Sequence, residues 1–266
     1  MRIVLISDIQ ECYLYPFWTP YSFYGVEKIN LPLEKVLDLK CDIALIPYSP
    51  TVKLRLPGAK VQIAIQAEQS HEYLGCLTVE NILKYHDGFI CVPSSYDFWK
   101  TKNKPIFMLN LLVKWNNLFK EPSKDFQDFG IILGSYTNHR NNITNSSLNK
   151  VRYSQIWGNE LFDKLNSLGI GYNIHKEKNS VITEECRLAI YLNSGMAISS
   201  ELLIENLLPE YLRGIIPQHE DILKIIIKKE NARELAEKNY EVMKKTKDIT
   251  EILENLFDTI KNHYNL

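Results

Sequence analysis

The sequence has no Cys-x-x-Cys pair, no Gly-x-Gly-x-x-Gly and no Asp-x-Asp. Each absence removes a class of chemistry. Its five cysteines, Cys12, Cys41, Cys76, Cys91 and Cys186, are odd in number and scattered. Disulfide frameworks and zinc sites both need clustered, paired thiols, so reduced core cysteines are expected. His175, His219 and His263 have no partner at metal spacing, and no metal is assigned. Free thiols suit a cytoplasmic protein. A basic excess is missing too. Lys and Arg number 31 against 32 Asp and Glu, a net charge of -1, which argues against general nucleic-acid binding. No run reaches the roughly 18 apolar residues of a membrane span, and the opening MRIVLISD turns polar too early for a signal peptide.

What remains is the balance of a globular protein: 266 residues, 45% hydrophobic and 24% charged. The first half alternates short apolar runs with helical spacing. Residues 2–7 (RIVLIS), 42–47 (DIALIP), 60–66 (KVQIAIQ), 88–92 (GFICV) and 105–109 (PIFML) predict strands. Helical patterns lie at 32–39, 78–86 and 94–101. Such alternation specifies a parallel α/β sheet. Around residues 114–127 the texture turns polar, with Pro122 marking a linker. Then the pattern restarts, with strands predicted at 129–133, 170–175, 195–199 and 214–217. Between them a polar loop is expected at 134–147, and helices at 148–168, 183–193 and 201–208. The charged remainder, 219–264, reads as helical. Two Rossmann-like halves are expected, and a single sheet with a helical tail is the alternative.

Open parallel sheets bind ligands outside the carboxyl ends of their strands. In the second half that rule selects Gly134-Ser135, the loop through His139 and Arg140, and Ser199-Ser200-Glu201 at an expected helix start. Helix amides and arginines would hold an anion there. In the first half it selects Asp8, Glu68 and His71. Any of the three can serve as a base that takes the proton of an attacking hydroxyl. The aromatic stretch after the first strand includes Tyr13, Trp18 and Tyr21. These rings either stack on a sugar or form a local core.

Residues 186–214 read CRLAIYLNSGMAISSELLIENLLPEYLRG. This element resembles the C-terminal domain of GT-B glycosyltransferases, in the group with K-L-x-x-Y-L-x-x-G-x-P-V-I followed by a helix and G-I-V. Arg187 stands at the basic position, Tyr191-Leu192 and Gly195 match, and Met196 replaces the proline. Many retaining members carry a glutamate in the helix before the strand and another eight residues earlier. Here Ile190 and Ile182 occupy those places, so the stereochemistry of transfer stays open.

The resemblance implies two Rossmann-like domains facing each other across a cleft. Residues 1–122 would form the acceptor domain, 123–247 the nucleotide-sugar domain, and 248–266 a helix packing back on the first. It implies a metal-independent glycosyltransferase with a nucleotide-sugar co-substrate, no other cofactor and an unidentified acceptor. Donor contacts would come from Gly134, Ser135, Arg140, Arg187, Tyr191, Ser199, Ser200 and Glu201. A non-catalytic nucleotide or carbohydrate binding protein and a sugar-nucleotide epimerase are the alternatives.

Overall fold

The computed structural model describes residues 1–7, 19–47, 54–66, 76–125, 130–133, 137–146, 151–154, 160–175, 184–203 and 208–266. The chain divides into two compact units. One comprises Met1–Leu111 with Ile249–Leu266, the other Leu112–Asp248.

The first unit carries six parallel strands: β1 (Ile3–Ile6), β2 (Glu27–Ile29), β3 (Cys41–Pro47), β4 (Ala59–Gln66), β5 (Gly88–Cys91) and β6 (Ile106–Met108). Their order is β2-β1-β3-β4-β5-β6. The inner strands are continuous apolar runs because a parallel sheet is covered on both faces. The edge strand β2 (EKI) is half-exposed, and Arg2 pairs with Glu27 beside it. Its polarity hides it from a hydropathy reading.

Helix α1 (Cys76–Tyr85) leads into β5, and α2 (Tyr96–Trp99) is a single turn flanked by 3-10 turns. Trp99 stacks on Phe89 with centroids 4.5 Å apart. The expected helix at 32–39 is reduced to one 3-10 turn at Leu33–Lys35.

The second unit has β7 (Gly130–Leu133), β8 (Val151–Ser154), β9 (Ile170–Asn173) and β10 (Ala197–Ser200), in the order β10-β9-β7-β8 and all parallel. Its helices are α3 (Asn138–Ser146), α4 (Leu161–Leu168), α5 (Glu185–Asn193) and α6 (Lys229–Met243). Ile132, Ile170, Tyr172, Ala197, Ala232 and Ala236 share its core. Both units are thus Rossmann-like parallel α/β layers. Among the described residues no helix is long and apolar enough to cross a membrane.

Four expectations are corrected here. The polar loop at 134–147 contains helix α3, whose Arg140 and Ile143 are buried. The long helix at 148–168 is strand β8 followed by the shorter α4. No helix begins at Ser199, because β10 runs through Ser200 and residues 201–203 are not helical. Residues 214–217 form a turn, and Gln218 bridges to Ser200.

The segment expected as a linker at 114–127 starts inside the second unit, since the division falls between Leu111 and Leu112 rather than at Pro122. Trp115 is fully buried, and its amide donates to Asn193 Oδ1 at 2.7 Å. Asn193 Nδ2 donates to Val113 O, which fixes the segment to the end of α5.

The last helix, α7 (Ile249–Tyr264), belongs to the first unit. Ile249, Leu253, Leu256, Phe257 and Ile260 form its buried stripe at helical spacing. Phe257 stacks on Tyr24 at 5.0 Å, and Tyr264 Oη donates to Asp87 O at 2.9 Å.

Candidate functional site

In the second sheet the chain leaves β7 for β8 on one side and reaches β9 on the other. The β7/β9 boundary is therefore a topological switch point, where loops diverge and leave a crevice at the carboxyl ends. Ile131 pairs with Gly171, and beyond them Tyr191 of α5 ties the two strands together. Its hydroxyl accepts from Leu133 N at 2.8 Å and lies 3.2 Å from both Ile131 O and Tyr172 O. Burial pushes this phenol up to about 12, so it stays neutral. Gly171 allows the approach, since a Cβ there would sit 2.9 Å from the Tyr191 ring.

Glu201 gathers the loops beyond the switch point. It follows β10 directly, and its amide donates to Asn173 O at 3.0 Å. One carboxylate oxygen accepts from the backbone N of His175 at 2.7 Å, just past β9. The other meets His139 Nε2 at 2.7 Å, in the first turn of α3. A single carboxylate thereby joins three elements. The His139 and Glu201 side chains are 14% and 7% exposed, so the pair is shielded yet within reach of solvent.

Two arginines lie in the same cluster. Arg187 donates to Asn173 Oδ1 at 3.0 Å and to Ile174 O at 2.8 Å, and pairs with Glu184. Arg140, fully buried, donates to Ile174 O at 3.0 Å and lies 3.6 Å from the other Glu184 oxygen. A buried guanidinium must be paired, and Glu184 serves both. Asn173 Nδ2 donates to Ser200 Oγ at 2.8 Å. His175 Nε2 contacts Leu202 O at 2.8 Å, so its Nδ1 is the bare nitrogen. Among the described residues His175 Nδ1 and Ser199 Oγ are buried without a hydrogen-bond partner.

The structure thus brings together Arg140, Arg187, Ser200 and Glu201, with Ser199 preceding Ser200 on β10 and the Tyr191 hydroxyl bonded to β7 and β9. The amides expected to cradle a phosphate here are already engaged: Ser200 N donates to Pro217 O and Leu203 N to Gln218 Oε1. Gly134 and Ser135 lie outside the described residues, as do Asp8, Glu68, His71, Tyr13 and Trp18. The strands they follow end at Leu133, Ile6 and Gln66. Tyr21 is described: it is buried in the first unit, 6.4 Å from the Phe257 ring.

Sequence reasoning assigned no role to Asn173, His175 or Glu184. Their position was available, since Asn173 and His175 close an apolar strand at its carboxyl end. Among the described residues no group of three or more His, Cys, Asp or Glu is placed to hold a metal ion. No known protein family matches the chain, and no curated protein matches it either.

Proposed function

We propose that the chain is a glycosyltransferase of the GT-B type, with the second unit binding a nucleotide-sugar donor and the first receiving the acceptor. The observation that carries this reading is the Glu201-centred cluster at the β7/β9 switch point, to which the sequence element resembling such enzymes contributes Arg187, Ser200 and Glu201. A diphosphate needs cations and oriented donors, and Arg187 stands at that edge with its side chain 13% exposed. The return of α7 to the first unit is in keeping with the same reading. It carries with it the cleft between lobes that the resemblance implies. Asp8, Glu68 and His71 are the candidates for the base that deprotonates the acceptor hydroxyl. The sequence has no Asp-x-Asp to hold a metal on the diphosphate, so side chains would supply the charge.

Arg187→Ala tests the assignment. It removes charge aimed at phosphate, so calorimetry should show a larger loss of affinity for a nucleoside diphosphate than for the nucleoside. Equal losses would leave Arg187 a purely structural role. The variant also takes the nearer cation from Glu184, leaving it Arg140 at 3.6 Å, and removes a donor from Asn173 Oδ1 and Ile174 O, a loss of about 1–3 kcal/mol of stability.

A further inference from the structure

Among the described residues, the hydrogen-bonded cluster holds two guanidiniums and two carboxylates before any ligand arrives. Arg140 and Arg187 both pair with Glu184, and Glu201 pairs with His139. Buried Glu185, in the first turn of α5, is a further carboxylate. A diphosphate brings two negative charges to this edge, and burying them uncompensated is costly. Among the described side chains of the cluster, those able to respond are His139 and His175, because imidazole is the side chain whose charge changes between pH 5 and 8.

The two are not equivalent. His175 is 1% exposed, and its ring is held against Leu202 O. His139 makes direct contact with a carboxylate and keeps partial access to solvent. It sits in the first turn of α3, where the chain leaves β7 at the switch point.

Resting on the donor-site reading above, we propose that His139 supplies the missing charge. A nucleotide sugar bound at the β7/β9 switch point is matched by an imidazolium formed on His139 and held by Glu201. Binding therefore takes up a proton from solvent. Glu201 keeps Nε2–H of the ring fixed, and the added proton resides on Nδ1. Among the described residues, the charged and titratable groups gathered around this pair are Arg140 on α3, His175 past the end of β9, Glu184 and Arg187 at the start of α5, and His219, whose amide donates to Ser200 O and whose Nδ1 accepts from Asp221 N. His175 and His219 are the other imidazoles beside it.

Titration calorimetry with UDP-glucose and GDP-mannose at pH 7.5, in PIPES and in Tris, tests this. Both probes are diphosphate diesters with no proton of their own to exchange in that range. The expected result is a binding enthalpy that differs between buffers by about one proton's worth of buffer ionisation, with affinity falling up to about tenfold per pH unit above neutrality. His139→Gln should abolish the buffer dependence, and His175→Gln should keep it. On wild-type protein, NMR of labelled histidine should show one imidazole becoming protonated as ligand is added.

Binding with equal enthalpy in both buffers overturns the inference and leaves the donor site standing. So does buffer dependence that survives in His139→Gln or disappears in His175→Gln. No binding by either nucleotide sugar or by inorganic pyrophosphate overturns both readings.

Discussion

Tyr191 shows how one hydroxyl can hold a site open. At the switch point β7 and β9 begin to diverge, and the amide of Leu133 finds its partner in the Tyr191 hydroxyl. Tyr191→Phe leaves that buried amide without an acceptor, a loss of about 1–3 kcal/mol. Hydrogen exchange should report it locally, with the Leu133 amide losing protection before the strands of the first unit change. Unaltered protection at Leu133 would mean that the phenol is a bystander. The sequence placed Tyr191 at the right edge of the right helix, but a linear pattern gives no hint that a ring lies over Gly171. Arg140 makes the same point. It reads as a loop cation, whereas the fold buries it against Ile174 and Glu184.

Among the elements, the α5–β10 turn is the part of the resemblance with the clearest physical cause. Gly195 has φ of 66°, and a Cβ there would come within 2.7 Å of Lys120 O. Gly195→Ala combines left-handed strain with a backbone clash, about 2–4 kcal/mol together. Its urea midpoint should fall accordingly, and an unchanged midpoint would contradict this packing.

At the end of α1, His86 is buried with Nδ1 against Ile82 O at 3.1 Å. Burial lowers it to about 4, with the Ile82 carbonyl opposing. The unfolded chain therefore takes up this proton first as pH falls. Stability is whole above about pH 6.5 and declines toward pH 4, by roughly 2–4 kcal/mol. His86→Gln should flatten that part of the stability–pH curve, and an equally steep curve would assign the loss elsewhere.

Apolar strands were legible because β1, β3, β4, β5 and β7 are buried on both faces. Elements with polar composition were not: β2 is a short edge strand, and α3 (NHRNNITNS) buries only Arg140 and Ile143. The β8 segment lies in a stretch whose apolar residues also fit a helical stripe, so periodicity could not separate the two.

For the whole molecule, the restart of the β–α pattern foretold two parallel sheets, and the structure has them. The division between units was harder to read. Polar composition suggested Pro122, but Trp115 and its clasp by Asn193 draw the chain into the second unit from Leu112 onward. A pairing over 78 residues of sequence leaves no local trace. The apolar stripe of α7, by contrast, was visible from its spacing.

The central claim, a nucleotide-sugar site on the second unit, is tested most directly by thermal unfolding against a panel of nucleoside diphosphates and sugar nucleotides. A ligand at 100 to 1,000 times its dissociation constant should stabilise the protein by about 3–4 kcal/mol. The account predicts this for at least one diphosphate-bearing ligand, with the nucleoside alone far weaker and the effect reduced in Arg187→Ala. Unfolding that is unmoved by every member of the panel would contradict it.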